Sequence, residues 1–149
     1  MKNILFVASE AVPFIKTGGL ADVVGSLPKC FDKQYFDVRV MIPKYLCIKE
    51  EFRNEMKYIS HFYVDYLGQS RYVGILEYVY DGITFYFIDN EGYFWGSKPY
   101  GDWYYDLEKF SFFSKAALCA LPVIGFKPDI IHCHDWQTGL IPVYLKERF

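Results

Sequence analysis

Three short apolar runs, separated by stretches with helical spacing, give the chain its pattern. The runs are Ile4 to Ala8, Val38 to Ile42 and Pro128 to Asp135, the last of which turns polar at its carboxyl end. Continuous apolar runs of this length are typical of strands buried on both faces of a parallel sheet. An apolar helical segment, Leu20 to Leu27, lies between the first two runs and completes a strand–helix–strand crossover unit. The pattern therefore predicts an α/β fold with a Rossmann-like parallel sheet.

The middle of the chain has a different pattern, rich in aromatic and β-branched residues. Tyr58 to Tyr66, Tyr72 to Tyr80 and Ile83 to Ile88 are three β-rich runs. The Asp81-Gly82 pair between the last two is a strong signal for a hairpin turn. These runs predict an antiparallel hairpin region, either as an insertion or as a meander joined to the edge of the main sheet.

One loop and two helices account for the rest of the chain. The stretch from Asn90 to Asp106 has three glycines and no clean period, which predicts a structured loop. Apolar residues recur at helical spacing from Leu107 to Leu121, and Thr138 is placed to cap a last helix from Gly139 to Phe149. Because the sequence contains no repeat, low-complexity tract or linker, residues 1–149 are predicted to form a single α/β unit.

Composition and charge narrow the function. Aromatic residues make up 21% of the chain; they fill cores and also stack on sugar rings, and the core role is the more frequent one. A formal net charge of −2 argues against a general nucleic-acid binder, which needs a basic surface. No apolar run approaches the roughly 18 residues of a membrane span. The cysteines share no C-x-x-C spacing and no signal peptide precedes them, which predicts reduced thiols in a cytoplasmic protein: Cys30, Cys47, Cys119 and Cys133.

Candidate chemistry lies first in the segment Lys16-Thr17-Gly18-Gly19-Leu20-Ala21-Asp22, which follows the first predicted strand. Two adjacent glycines before a helix let backbone N–H groups approach an anion, and the helix dipole adds to the attraction. A lysine beside them supplies a mobile positive charge for a phosphate. On spacing alone a plain turn with a solvated lysine is the more frequent explanation of the segment, because the segment has neither a G-x-G-x-x-G nor a Walker pattern.

A second polar group, His132-Cys133-His134-Asp135-Trp136-Gln137, follows the last predicted strand. Alternate residues of a strand share a face, so His132 and His134 could be paired metal ligands, although no third ligand is visible and structural histidines are commoner. An Asp followed by a Trp at a strand end also suits a sugar, with the carboxylate on hydroxyls and the indole against the ring. The alternative is an Asp that caps the last helix and a Trp in the core. In open α/β sheets ligands bind at the carboxyl ends of the strands, so both polar groups are expected on one edge.

Taken together, these segments resemble a known family. Its N-terminal signature matches I-L-F-V-A-S-E-A-V-P-F followed by K-T-G-G-L-A-D-V-V-G-S-L-P. Two later segments match it in order and spacing, F-S-F-F-S-K-A-A-L and P-D-I-I-H-C-H-D-W-Q-T-G-L-I-P. The family is that of bacterial- and plant-type glycogen (starch) synthases. The likeness runs from Lys2 to the final helix and is loosest between Tyr58 and Asp106.

The resemblance implies a two-domain GT-B glycosyltransferase that transfers glucose from ADP-glucose to the non-reducing end of an α-1,4-glucan with retention of configuration. Residues 1–149 then correspond to an incomplete N-terminal, acceptor-side Rossmann-like domain, without the C-terminal nucleotide-binding domain. The family pattern implies no metal and no cofactor. Its site residues fall on catalytic Asp22 and Asp135 and on substrate-binding positions at Lys16, Gly18, Gly19, Tyr100 and Trp136.

Three other interpretations stay open at this stage. A non-catalytic glucan-binding module is consistent with the surplus of aromatic residues. A flavodoxin-like signalling domain needs an acidic pocket after the first strand, for which Glu10 is the lone candidate. A related glycosyltransferase with another nucleotide-sugar donor is the closest rival, because base recognition belongs to the second domain. The resemblance also implies that a chain without that second domain transfers no glucose by itself.

Overall fold

A six-stranded mixed sheet organises the chain, whose residues 1–148 are described by a computed structural model. The strands are β1 (Lys2–Val7), β2 (Phe36–Pro43), β3 (Lys57–Tyr66), β4 (Gln69–Tyr80), β5 (Ile83–Asp89) and β6 (Ile130–Cys133). Their order in the sheet is β3-β4-β5-β2-β1-β6. The pairs β5–β2, β2–β1 and β1–β6 are parallel, whereas β3–β4 and β4–β5 are antiparallel. The predicted parallel core of three apolar strands is confirmed.

Helices cover both faces of this sheet. They are α1 (Gly19–Ser26), α2 (Glu50–Arg53), α3 (Glu91–Phe94), α4 (Trp103–Ile124) and α5 (Ile141–Arg148), with short 3₁₀ turns at Leu27–Cys30 and Trp136–Thr138. The crossover from β1 to β2 and the crossover from β5 to β6 run in opposite directions across the sheet. Because such crossovers are right-handed, α1 and α4 lie on opposite faces. Phe31, just after α1, packs on Phe6 of β1, and Phe112 of α4 packs on Tyr66 of β3.

The hairpin between β4 and β5 turns at Asp81-Gly82, as the sequence predicts. Both residues have positive φ, 50° and 75°, the conformation of a type I′ turn in which glycine is favoured. Because β5 pairs with β4 on one side and with β2 on the other, the antiparallel region is a meander joined to the main sheet. It is not a separate insertion.

The segment from Asn90 to Asp106 is more regular than predicted. Asn90 caps α3 by accepting a hydrogen bond from the Tyr93 N–H at 3.1 Å. Asp102 caps α4 by accepting from the N–H groups of Tyr104 and Tyr105, so α4 begins at Trp103 and not at Leu107. The first turn of α4 carries aromatic residues on several sides, so its sequence shows no helical period of apolar positions.

Two expectations for the C-terminal part are wrong. Within residues 1–148, β6 pairs with β1 alone and is an edge strand, and Ile130 and His132 are exposed, so this strand is not buried on both faces. Thr138 caps no helix: its hydroxyl accepts from the His134 N–H and donates to the His134 carbonyl, which closes the turn after β6. The last helix begins at Ile141, and its predicted end at Phe149 lies outside the described residues. No helix within residues 1–148 has the length and apolar character to span a bilayer.

Candidate active site

The carboxyl edge of the parallel strands brings the two polar segments to one side of the molecule. β1 and β6 are adjacent and parallel, with Val7 opposite Cys133 at their ends. The backbone N–H of His134 donates to the Val7 carbonyl at 3.2 Å, so the chain leaves both strands at the same level. The loop with Lys16 and the turn with Asp135 therefore begin side by side, which confirms the prediction of a shared edge.

A buried carboxylate holds the first of these segments in place. The Glu10 side chain is only 2% exposed. Its Oε2 accepts hydrogen bonds from the backbone N–H of Thr17 at 2.9 Å and from the Thr17 hydroxyl at 2.6 Å. Glu10 thus fixes the loop at the residue between Lys16 and Gly18. The sequence drew attention to Glu10 only as the lone acid of a flavodoxin-like pocket, so its role as a loop anchor was missed.

The first turn of α1 presents free backbone donors beside this loop. Gly18 is the N-cap residue in an extended conformation, and it has no side chain to accept from the N–H groups of the first turn. Those N–H groups have no partner inside the helix. A Cβ added at Gly18 or Gly19 would meet no described heavy atom within 4 Å. The chain itself therefore does not require glycine there, which leaves room for a ligand to approach the helix N-terminus.

Lys16 and Asp22 form an ion pair at the start of α1. The Lys16 Nζ lies 2.8 Å from Asp22 Oδ2, and the two side chains are 53% and 52% exposed. A pair this open to water contributes little to stability. Breaking this ion pair therefore costs little free energy, and either side chain can bind a charged ligand in place of its present partner.

Asp135, in the second segment, has a strained backbone. Its φ of 64° and ψ of −175° lie in a region that is essentially restricted to glycine. Its Oδ1 accepts from the N–H of Trp136 at 2.9 Å, so the carboxylate also caps the following 3₁₀ turn. A glycine would adopt this conformation without strain. The presence of an aspartate instead indicates that its carboxylate has a function here.

Trp136 belongs to an exposed aromatic wall and not to the core. Its ring packs edge-on against Phe110, with centroids 5.7 Å apart, and lies tilted against the ring of Trp103 at 5.1 Å. Trp103 and Trp136 both remain exposed to solvent, whereas Phe110 is buried. The wall offers flat indole surface beside the Asp135 carboxylate.

Tyr100 connects the two segments. Its hydroxyl is 2.6 Å from the Ser9 Oγ in the first loop, and its ring packs against Phe110 at 5.8 Å beneath the aromatic wall. Burial raises the pKa of Tyr100 to about 12, and the nearby charges of Glu10 and Asp135 add to the shift. Tyr100 is therefore a neutral hydroxyl at physiological pH.

An ion pair buried in α4 anchors the loop that carries Tyr100. Asp106 and Lys109 lie 3.3 Å apart with side chains only 5% exposed. Asp106 Oδ2 accepts from the Gly101 N–H at 2.9 Å, and the Lys109 ammonium donates to the Pro99 carbonyl. Sequence analysis missed this pair, although an acid and a base three residues apart on a helix would have been a usable signal.

The two histidines at the carboxyl end of β6, His132 in the strand and His134 just after it, do not form a recognisable metal centre. Their rings contact each other at 4.4 Å, nearly perpendicular. Burial, and then the neighbouring His132, lower the pKa of His134 to about 4, so His134 is neutral at pH 7. Among the described residues, no group of three or more His, Cys, Asp or Glu side chains is arranged to hold a metal ion.

Comparisons with known proteins agree with this geometry. A family model for the starch synthase catalytic domain matches residues 3–149. The glycogen synthases of Lachnospira eligens and Lachnoclostridium phytofermentans are 70% and 62% identical over the whole chain, which spans 31% of each protein. A solved structure, the catalytic domain of starch synthase IV from Arabidopsis thaliana bound to ADP and acarbose, is 32% identical with a TM-score of 0.80, over 99% of this chain and 31% of that one. The chain belongs to the starch synthase catalytic domain family.

Proposed function

We propose that this chain is the N-terminal, acceptor-side domain of a longer glycogen synthase, a GT-B enzyme that transfers glucose from ADP-glucose to the non-reducing end of an α-1,4-glucan with retention. The observation that carries the proposal is the convergence of the Lys16 loop, Tyr100 and the strained Asp135 at one edge of the sheet. The family supports the reaction, and the 31% coverage of the relatives supports a second domain across a cleft.

In this proposal the first segment stabilises the leaving diphosphate. Lys16 exchanges its exposed partner Asp22 for a phosphate oxygen, and the free N–H groups at Gly18 and Gly19 supply further donors. Negative charge grows on the phosphate as the bond to glucose breaks, so donors fixed before the reaction stabilise the transition state more than the ground state. Glu10 keeps these donors in position by holding Thr17.

The second segment receives the sugars. The Asp135 carboxylate is placed to accept hydrogen bonds from glucose hydroxyls, and the indole of Trp136 covers an apolar sugar face. Tyr100, neutral at physiological pH, adds a hydroxyl between the two segments. Asp22 is freed at the start of α1 when Lys16 turns to the phosphate, and we assign it to the active site as the second acid.

A cytoplasmic location fits the state of the cysteines. Cys30, Cys47, Cys119 and Cys133 are all free thiols. Reduced cysteines are the rule in compartments buffered by glutathione.

A chimera tests the proposed function. This chain replaces the 31% of the Lachnospira eligens protein that it matches, at 70% identity, so the interface with the rest of that protein should form. We expect the chimera to transfer glucose to glycogen from ADP-glucose, and we expect the isolated chain to transfer none. A folded chimera without transfer activity, or transfer by the isolated chain, would contradict the proposal.

A further inference from the structure

The buried ion pair of α4 holds the backbone on both sides of Tyr100. The side chains of Asp106 and Lys109 are each only 5% exposed. The Lys109 ammonium donates to the carbonyl of Pro99, and Asp106 Oδ2 accepts from the N–H of Gly101 at 2.9 Å. Because these two residues are the immediate neighbours of Tyr100 in the chain, the ion pair fixes the peptide groups that precede and follow the tyrosine.

The loop that carries Tyr100 has few other attachments. Among the described residues, the contacts with the ion pair are the only two hydrogen bonds of the backbone from Gly96 to Gly101. A cleft of about 390 Å³ lies between this loop and the first turns of α4. Apolar packing therefore does not fill the space beneath the loop, and its backbone is held mainly by the two buried charges.

The Tyr100 hydroxyl contacts the segment that follows β1 at two points. It lies 2.6 Å from the Oγ of Ser9, a fully buried residue whose carbonyl accepts from the Tyr45 hydroxyl at 2.6 Å. Burial raises the pKa of Tyr100 to about 12, while hydrogen bonds with the side chains of Ser9 and Thr17 oppose that rise. Tyr100 thus joins the start of this segment to its end.

Thr17 extends the same set of contacts to the proposed phosphate site. Its backbone N–H and its hydroxyl both donate to Glu10 Oε2, at 2.9 Å and 2.6 Å, and it lies between Lys16 and Gly18. A shift of the Tyr100 hydroxyl would withdraw one partner of Thr17 and loosen the loop at this residue. A continuous series of contacts therefore leads from Lys109 to the peptide that precedes the N-terminus of α1.

We propose that Asp106 and Lys109 are positioning residues for glucosyl transfer, which act through Tyr100 to set the place of the Lys16 loop. The reaction itself rests on the proposed function, whereas the link between the ion pair and the loop rests on the contacts alone. Neither charge needs to touch a substrate. Misplacing a reacting group by about 1 Å through a distant change can lower a rate by about 10²-fold, so the link matters for catalysis.

The test needs a variant that removes both charges together. Changing one member of the pair would leave the other charge buried and unpaired, which destabilises a fold strongly. Asp106→Leu combined with Lys109→Met replaces both by apolar side chains of similar size, an exchange that usually preserves folding. We call this double replacement the anchor variant. It leaves the Tyr100 loop without its two backbone attachments.

An ion pair on β2 supplies the matched control. Arg39 and Asp37 lie 2.9 Å apart, with side chains 27% and 33% exposed, and have no described contact with Tyr100. Asp37→Leu combined with Arg39→Met therefore removes a partly buried pair without touching the loop. It should change the thermal midpoint and leave kcat unchanged.

Steady-state transfer by the chimera measures the effect on the reaction. We expect the anchor variant to lower kcat, and kcat/KM for ADP-glucose, by the same factor of about 10–100, the pattern of an interaction that matters only in the transition state. The KM for glycogen should stay unchanged. In a Tyr100→Phe background the anchor variant should cause less than about a twofold further loss, because both changes break one series of contacts.

Hydrogen exchange of the Thr17 amide tests the link without any transfer reaction. In the 149-residue chain, followed by NMR, the anchor variant should speed exchange of this amide by about tenfold or more, because the loop opens locally more often. The control variant should leave the exchange rate as it is. Circular dichroism confirms that each variant is folded.

Three results would overturn the inference. The first is an anchor variant that transfers glucose as fast as the unmodified chimera. The second is a loss from the anchor variant that multiplies with the loss from Tyr100→Phe. The third is an unchanged exchange rate of Thr17 in the anchor variant. If the unmodified chimera transfers no glucose, the proposed function fails, and the exchange of Thr17 in the isolated chain alone decides whether the ion pair positions the Lys16 loop.

Discussion

Replacing Lys16 with alanine should lower kcat/KM of the chimera for ADP-glucose by a factor of about 10²–10³, the usual effect of losing one donor to developing negative charge. The structure gives the reason for a large effect on activity and a small effect on stability. Lys16 is half exposed, and the ion pair that its ammonium forms with Asp22 is open to water, so little folding energy is lost with it. Steady-state transfer of labelled glucose and the thermal midpoint of the same preparation separate the two effects.

Lys29 supplies a matched control for this prediction. Its ammonium lies 3.4 Å from Asp81, and the two side chains are 43% and 55% exposed, so it forms a surface ion pair of the same kind far from the carboxyl edge. Lys29→Ala should leave kcat/KM unchanged. Lys16→Arg should recover only part of the activity, because a planar guanidinium is a poor geometric substitute for a compact ammonium. Equal losses from Lys16→Ala and Lys29→Ala would remove Lys16 from the donor site.

Changing Asp135 to glycine should abolish most transfer and yet leave the chain more stable than changing it to alanine. Alanine keeps the Cβ in a conformation that costs about 1–3 kcal/mol, whereas glycine adopts it freely. Elsewhere in a folded element glycine is the less stable choice by about 0.5–1 kcal/mol. We expect the thermal midpoint of Asp135→Gly to exceed that of Asp135→Ala by up to about 10 °C, since the relieved strain less the glycine cost leaves up to about 2.5 kcal/mol and about 1 kcal/mol corresponds to 2–4 °C at this size.

The same two substitutions at Asp102 are the control that separates the effect of backbone strain on stability from the effect of capping. Both aspartates cap a following turn, but Asp102 has an ordinary φ of −65°. The glycine and alanine variants at Asp102 should therefore differ only by the capping preference, and the excess difference at Asp135 measures its strain. If the differences at the two positions were equal, the strain argument for Asp135 would fail. The role of the carboxylate in transfer is tested separately. If both Asp135 variants fold in the chimera and both transfer little glucose, the Asp135 carboxylate is needed for activity.

The sequence predicts the sheet well because its signals are local. The apolar runs at β1 and β2 and the Asp81-Gly82 turn each depend on a few neighbouring residues, and all are found in place. The prediction fails where long-range packing decides. β6 has the apolar composition of a buried strand but lies at the edge of the sheet, and Thr138 forms its hydrogen bonds with His134 across a turn instead of capping a helix.

The candidate site divides in the same way. The segments with Lys16 and Asp135 follow strands that the pattern already identifies, so their shared edge was predictable. The contacts that position them were not, because Glu10 reaches Thr17 across a loop and Tyr100 reaches Ser9 over 91 residues of sequence. The backbone strain at Asp135 has no sequence signal, since an aspartate at a helix cap normally has an unstrained conformation.

A crystal structure of the chimera with ADP tests the central claim most directly. The account predicts the Lys16 Nζ about 2.7–2.9 Å from a phosphate oxygen, the distance of a charge-assisted hydrogen bond, with the first N–H groups of α1 directed at the same phosphate. ADP bound with every phosphate oxygen more than about 4 Å from Lys16, beyond ion-pair range, would contradict it.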